Sequence, residues 1–247
     1  MRIPRVYVDK DLQPGATVAL PAAAAHHLSR VLRLREGDPV VLFNGRGGEF
    51  AGKLDGVHGA EAQVAGLVFS PVERESPLHL VLAQGISRGE RMDYTLQKAV
   101  ELGIAEIVPI WTERTTVRSD PGRDEKRRAH WQGVAISACE QCGRNRVPVI
   151  HNHMNLLEFF KFVAAGVRLL LHGEGTTRLR DIADAEMQQQ GRIILLAGPE
   201  GGFTPNEVNA VTGAGFRAVR LGPRTLRTET AALAALAAIQ TLWGDFA

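Results

Sequence analysis

Residues 192–207, RIILLAGPEGGFTPNE, decide the fold of this chain. The apolar run at residues 193–197 is typical of a strand that is buried on both faces, as strands of parallel sheets are. The glycines in residues 198–202 let the backbone turn sharply and approach a ligand closely. Three residues with the pattern of a capped helix start come next: Thr204, Pro205 and Glu207. The stretch therefore predicts a strand, a glycine loop and a helix whose N-terminus can face an anionic group.

A second loop of the same kind follows along the chain. Residues 216–221 predict a short strand, residues 222–224 (Gly-Pro-Arg) break it, and residues 231–243 predict a helix rich in Ala and Leu. Neither loop has the pattern of a dinucleotide-binding fingerprint or of a P-loop. Glycine turns in an ordinary α/β protein would explain each loop alone. Two such loops ending in one sheet favour a ligand cleft at the carboxyl edge of the strands.

The composition is that of a soluble globular protein. The chain has 247 residues, of which 45% are hydrophobic and 23% charged, with a formal net charge of +2. No apolar run approaches the length of a membrane span, and the first residues do not resemble a signal peptide. The chain has two cysteines and thus no disulfide framework, so we expect a cytoplasmic location. Clusters of arginine at residues 114–128 and 217–227 suit contact with phosphate.

The pattern predicts two domains. Residues 1–70 predict five short strands between residues 6 and 68 and one helix at residues 22–34, with Leu28, Val31 and Leu32 on its apolar side. A small barrel of this size is typical of nucleic-acid-binding modules. Residues 44–48 predict a hairpin turn. A polar stretch with two prolines at residues 70–77 marks the boundary to a second domain, residues 71–247.

The second domain alternates strands and helices, which predicts a mostly parallel sheet covered on both faces. The strands are predicted at residues 78–83, 104–110, 147–150, 167–172, 193–197 and 216–221. Asp93 is predicted to cap a helix at residues 94–102, and Asn155 with Glu158 to open one that ends at Gly166. Further helices are predicted at residues 123–142 and 179–190. Cys139 and Cys142 favour core packing, and neither they nor the histidines have the spacing of a metal site, so no metal is expected.

Three motifs together resemble a known family: residues 198–202 (GPEGG), 221–231 (LGPRTLRTETA) and 140–144 (EQCGR). They are similar to RsmE, the bacterial 16S rRNA uridine N3-methyltransferase family of the SPOUT class. The resemblance implies an α/β fold with a C-terminal trefoil-knotted SPOUT methyltransferase domain and an N-terminal PUA-like β-barrel that binds RNA. It also implies a homodimer that takes S-adenosylmethionine as cofactor and 16S rRNA of the small ribosomal subunit as substrate.

The resemblance assigns roles to residues by position. Three loops are expected to bind the cofactor through Leu171, His172, Gly173, Gly198, Glu200, Gly201, Leu221, Gly222, Thr225, Leu226 and Thr228. Arginines expected to contact RNA are Arg5, Arg30, Arg33, Arg114, Arg118, Arg144 and Arg224.

The expected catalytic residues are Arg227, Glu229 and Glu140. Arg227 is predicted to stabilise the uracil anion or to hold a phosphate, with Glu229 or Glu140 as the base. Two plainer interpretations stay open: Glu229 favours the helix terminus, and Glu140 pairs with Arg144. Two other functions also stay open, a SPOUT ribose 2′-O-methyltransferase and a non-catalytic RNA-binding or ribosome-assembly protein.

Overall fold

The computed structural model describes residues 3–58, 61–117, 120–182, 184, 186 and 191–246. The chain divides into two compact units: Met1–Glu75 with Ile136–Val147, and Ser76–Ala135 with Pro148–Ala247.

Residues 136–147 belong to the first unit although they lie far along the chain. The Glu140 carboxylate accepts a hydrogen bond from the Tyr7 amide at 3.0 Å, and Arg74 donates one to the Gly143 carbonyl at 3.0 Å. The sequence-based assignment places all of residues 71–247 in one domain and so does not separate residues 136–147. Their position in the first unit depends on contacts between distant residues.

The first unit is built on a five-stranded sheet. Its strands are β1 (Arg5–Tyr7), β2 (Val18–Ala19), β3 (Pro39–Phe43), β4 (Glu49–His58) and β5 (Glu61–Ser70). They follow the order β1-β3-β4-β5-β2, with β1 parallel to β3 and the other neighbours antiparallel. Alternating apolar residues such as Val40, Leu42, Leu54 and Val64 fill the core. The five predicted strands and the turn at residues 44–48 are confirmed.

The helix predicted at residues 22–34 is shorter and changes its pitch. Helix α1 (Ala22–His26) passes directly into a π-helical turn (His27–Val31). The wider turn ends the 3.6-residue periodicity on which the prediction rested. As a result Leu28 is buried as predicted, but Val31 and Leu32 are 60% and 42% exposed.

The second unit contains, within the described residues, a sheet of seven parallel strands. They are β6 (His79–Gly85), β7 (Glu106–Trp111), β8 (Val149–Ile150), β9 (Met154–Asn155), β10 (Val167–Leu171), β11 (Arg192–Ala197) and β12 (Arg217–Val219). The order is β12-β10-β11-β6-β7-β8, and β9 pairs with β7. The predicted parallel sheet is confirmed; β9 is an addition, since two residues carry no periodicity.

The helices of this unit start and end differently from the prediction in places. They are α2 (Glu90–Glu101), α3 (Pro121–Cys142, of which residues 136–142 belong to the first unit), α4 (Leu156–Phe162), α5 (Pro205–Gly213) and α6 (Thr228–Trp243). Asp93 does not cap α2, because the helix begins earlier at Glu90; its carboxylate instead lies 2.8 Å from His130 Nε2. Asn155 and Glu158 form the predicted capping box of α4, but this helix ends at Phe162, before Gly166. Residues 179–181 form a 3₁₀ turn, and residues 183, 185 and 187–190 of the predicted helix lie outside the described residues.

The decisive stretch has the structure that its sequence predicts. Five of the six residues of β11 are buried, all except Arg192. The strand lies between β10 and β6 in the sheet. Thr204 caps α5, Pro205 is its first residue, and the Glu207 carboxylate completes the capping box.

Cys139 is buried in α3, and burial raises the pKa of its thiol to about 12. This placement confirms packing as the role of Cys139. None of the described helices combines the length and apolar character needed to span a bilayer.

Candidate functional site

Three loops meet at the carboxyl edge of the sheet and enclose a cleft of about 800 Å³, which we call the three-loop cleft. They are the β10 loop (residues 171–174), the β11 loop (198–203) and the β12 loop (220–229). The loops come together because β10 lies between β11 and β12 in a parallel sheet, so that all three strands end on the same side. The cleft lies within the second unit.

All the residues that the resemblance assigns to the cofactor line this cleft. They are Leu171, His172, Gly173, Gly198, Glu200, Gly201, Leu221, Gly222, Thr225, Leu226 and Thr228. The structure therefore brings the predicted loops into one space, and binding of the cofactor by them stays a prediction.

The backbone is open to a ligand at one glycine of each loop. A β-carbon built at Gly173, Gly202 or Gly222 would meet no atom within 4 Å. Gly202 and Gly222 also have positive φ angles of 67° and 101°, which disfavour other residues. These positions combine free space in front of the backbone with conformations that glycine adopts at little cost.

A buried carboxylate fixes the turn before α5. Glu207 is 6% exposed and accepts hydrogen bonds from the backbone amides of Thr204 and Glu113, each at 2.8 Å. The residue after Glu113 reaches the same region, since Arg114 Nη1 donates to the Gly201 carbonyl at 3.0 Å. The sequence indicates the local bond to Thr204; the bond to Glu113 joins residues 94 positions apart and has no sequence signal.

Glu200 holds the tip of the β11 loop. Its carboxylate accepts hydrogen bonds from the Arg88 amide at 3.1 Å and from Arg91 Nη1 at 3.2 Å. Burial opposes ionisation of Glu200, but these donors outweigh it, so its pKa lies below the ordinary value. Glu200 is therefore an anionic anchor for the loop at neutral pH. Sequence reasoning missed Arg91, although it lines the cleft.

The cleft has a net positive charge, because five arginines and three glutamates (Glu174, Glu200 and Glu229) line it. The arginines that line it are Arg91, Arg114, Arg220, Arg224 and Arg227. Arg227 precedes α6 as its N-cap residue, and Glu229 lies in the first turn of that helix. The predicted catalytic residues Arg227 and Glu229 thus share the cleft with the RNA-binding candidates Arg114 and Arg224. Such a lining suits an anionic ligand that is larger than a small molecule, so that only part of it enters the cleft.

Other predicted residues lie in the first unit. Glu140 is not among the residues lining the cleft: its carboxylate accepts the Tyr7 amide hydrogen, and burial raises its pKa. The interpretation that Glu140 pairs with Arg144 is not what the structure shows, since Arg144 pairs with Glu75. The role of Glu140 as a base stays a prediction.

Two of the predicted RNA-binding arginines are buried in ion pairs. Arg144, 4% exposed, donates from Nε to both carboxylate oxygens of Glu75. The Arg5 side chain, 6% exposed, pairs with Glu49 and also donates to the Arg144 carbonyl. Little of either guanidinium can reach an RNA phosphate, because the side chains of Arg5 and Arg144 are only 6% and 5% exposed. We therefore assign both arginines to the interior of the unit.

The remaining candidates have different positions. Arg30 and Arg33 are exposed in and after the π-helical turn, and Arg33 has a positive φ of 57°. Arg118 lies outside the described residues. Among the described residues, no group of three or more His, Cys, Asp or Glu side chains is arranged to hold a metal ion.

Two family models match different parts of the chain. A family model described as an RNA methyltransferase domain matches residues 74–240, and one described as an RNA methyltransferase PUA domain matches residues 20–64. Proteins named ribosomal RNA small subunit methyltransferase E are similar along most of the chain. The one from Mycobacterium tuberculosis is 35% identical over 96% of this chain and 90% of its own length, and the one from Bacillus subtilis is 30% identical over 93% and 92%.

Solved structures give the same result. Ribosomal RNA small subunit methyltransferase E from Neisseria gonorrhoeae, bound to S-adenosylmethionine, superposes with a TM-score of 0.92 at 42% identity over 100% of both chains. A Legionella pneumophila protein in complex with the same cofactor superposes with a TM-score of 0.94 at 39% identity, again over 100% of both chains.

Proposed function

We propose a methyl-transfer reaction for this chain, which belongs to the family of ribosomal RNA small subunit methyltransferase E. The chain transfers a methyl group from S-adenosylmethionine to N3 of a uridine in 16S rRNA. The observation that carries this proposal is the three-loop cleft, where open glycine backbone and arginine side chains share one space.

The cleft fits S-adenosylmethionine. Its volume of about 800 Å³ is within the usual range of small-molecule sites. Backbone amides and carbonyls of the three loops would hold the adenosyl group, which can lie directly against the chain at Gly173, Gly202 and Gly222. When bound, the cofactor supplies a methyl group attached to a positively charged sulfur. The sulfur is a good leaving group, because it becomes neutral when the methyl group is transferred.

Arg227 and Glu229 prepare the uracil ring for methylation. The proton on uridine N3 must leave before or during the reaction, and the resulting charge spreads to O2 and O4. Glu229 accepts this proton, and the Arg227 guanidinium stabilises the anion. The N-terminus of α6 carries both residues and adds its own positive partial charge. Much of the rate comes from holding N3 in line with the donor, because the displacement itself needs little covalent assistance.

The arginines at the cleft hold the RNA. Arg114 and Arg224, together with Arg91 and Arg220, line the same space as the catalytic candidates and can contact phosphates on either side of the target uridine. A base that is stacked or paired must turn out of the RNA to enter such a cleft. In the first unit, Arg30 and Arg33 present exposed guanidinium groups for further phosphate contacts.

The family resemblance supports four further proposals. The strands and loops of the second unit form a trefoil knot, and residues 1–70 act as a PUA-like RNA-binding domain. The protein is a homodimer in which α6 takes part in the interface, since its alanines permit close helix packing and Leu242 is 46% exposed. It acts in the cytoplasm, where its ribosomal substrate is assembled.

Nucleoside analysis tests the proposed reaction. We expect 16S rRNA from cells lacking this protein to have lost one N3-methylated uridine, as measured by mass spectrometry of digested RNA. The wild-type chain should restore it, and the Arg227→Ala variant should not. Loss of a ribose-methylated nucleoside instead would assign the chain to 2′-O-methylation, and an unchanged nucleoside profile would contradict an enzymatic role.

A further inference from the structure

We propose that Gln84 is a positioning residue of the cofactor site, whose side-chain amide locks the β11 loop to the first residue of α6. The inference rests on the proposed function, because its readout is the affinity for S-adenosylmethionine. Gln84 itself does not line the three-loop cleft.

One nitrogen atom joins two of the three loops. Gln84 is fully buried in β6, opposite Ala197 of β11 in the sheet register. Its Nε2 atom lies 3.0 Å from Thr228 Oγ1 and 3.3 Å from the Gly198 carbonyl oxygen. Gly198 and Thr228 both line the cleft, although they are 30 residues apart. The amide therefore ties the β11 loop to the end of the β12 loop.

The direction of each hydrogen bond in this group is fixed by its neighbours. Carbonyl oxygens accept only, so the Gln84 NH₂ faces the carbonyls of Gly85 and Gly198; one of its two hydrogens points to Thr228, and the other is shared between these two carbonyls. The Thr228 hydroxyl accepts from Gln84 and donates its own hydrogen to the Gly198 carbonyl. The result is a closed set of three hydrogen bonds among Gln84, Thr228 and Gly198.

Core stability does not explain a glutamine at this position. The Gln84 Oε1 atom is buried and has no hydrogen-bond partner among the described residues. A buried acceptor without a partner is unfavourable, and a leucine of similar size would avoid it. What glutamine adds over leucine is the pair of hydrogens that hold the two loops.

The start of α6 depends on the same group. Its N-cap residue, Arg227, makes no side-chain capping bond, and the Thr228 hydroxyl is committed to the Gly198 carbonyl. Gln84 therefore also fixes the helix start that carries the catalytic candidates Arg227 and Glu229. Removing the amide hydrogens should therefore loosen the β11 loop and the end of the β12 loop together.

Calorimetric titration with S-adenosylmethionine tests the proposal on the full chain. We expect Gln84→Leu to bind about tenfold more weakly than wild type, the factor that corresponds to loss of one or two buried hydrogen bonds. The matched control Gln97→Leu removes an exposed glutamine from α2 and should bind like wild type. Affinity of Gln84→Leu within twofold of wild type would overturn the proposal.

The Gln84→Glu variant makes the cofactor affinity depend on pH, which a general packing defect would not do. In Gln84→Glu the introduced carboxylate faces carbonyl oxygens and cannot donate, whereas its protonated form can. Affinity relative to wild type should therefore recover as the pH is lowered from 8 to 5.5. An affinity ratio that does not change with pH would contradict the assigned hydrogen bonds.

Thr228 provides a second route if Gln84→Leu does not fold, as judged by thermal unfolding. Thr228→Ser keeps a hydroxyl and should bind several-fold more tightly than Thr228→Val, which lacks it. Equal affinities of the two variants would overturn the proposal. Failure of the wild-type chain to bind the cofactor would refute the proposed function itself, so the two failures are distinguishable.

Discussion

Gly85→Ala is the substitution whose effect follows most directly from the structure. Gly85 ends β6, next to the β11 loop. A β-carbon at this position would lie 2.5 Å from Pro199 Cδ and 2.7 Å from the Gly198 carbonyl carbon. Ordinary contacts between carbon atoms are about 3.5–4.0 Å, so the β11 loop must move away by about 1 Å. This movement takes the Gly198 carbonyl away from Gln84 and Thr228, which hold it in place.

The expected cost has two parts. Overpacking of this size typically lowers the free energy of unfolding by about 1–3 kcal/mol. Affinity for S-adenosylmethionine should fall by at least about tenfold, because a hydrogen-bonded loop of its site is displaced. Urea unfolding measures the first quantity and calorimetry the second.

A second glycine supplies the matched control. Gly133 lies inside α3, where a β-carbon would meet no atom within 4 Å. Gly133→Ala should therefore raise the free energy of unfolding by up to about 1 kcal/mol and leave cofactor affinity unchanged. Cofactor affinity of Gly85→Ala within twofold of wild type would show that the close approach of β6 and the β11 loop does not matter for the site.

Three other predictions concern the reaction, the RNA and the pH dependence of stability. Arg227→Ala should lower the methyl-transfer rate about 100-fold with little change in cofactor affinity; near-normal turnover would remove Arg227 from the active site. RNA affinity, measured by filter binding, should fall steeply between 50 and 200 mM salt, and a salt-independent affinity would exclude phosphate-led binding. Burial opposes ionisation of Glu106, but hydrogen bonds from His79 and His151 and the charge of Arg192 hold its pKa below its ordinary 4.5. The stability that Glu106 contributes is therefore present above pH 4.5 and is lost as the pH falls through its folded pKa. The destabilisation caused by Glu106→Gln should be largest at pH 7 and should shrink as the pH falls below 4.5; a loss that does not change with pH would contradict the shift.

Structural features that depend on neighbouring residues could be predicted from the sequence. The strand at 193–197, the glycine loop and the cap of α5 depend on residues within a few positions of each other, and each is found in the structure. The family motifs located the loops of the cleft, which the order of β10, β11 and β12 then brings together.

Features that depend on contacts between distant residues could not be predicted from the sequence. Gln84 and Arg91 reach the β11 loop only because β6 is the neighbour of β11, and no periodicity encodes that order. Charge alone likewise does not reveal pairing: Arg5 and Arg144 suit phosphate by type but are buried with Glu49 and Glu75. The π-helical turn at His27–Val31 shows the same limit, since one wider turn leaves Leu28 in the core but exposes Val31 and Leu32.

A crystal structure of this chain with S-adenosylmethionine would show whether the three-loop cleft binds the cofactor. We predict that the cofactor occupies the three-loop cleft, against Gly173, Gly202 and Gly222, with its methyl group turned toward the space beside Arg227. A cofactor bound at any other place, or a cleft that stays empty under saturating conditions, would contradict the account.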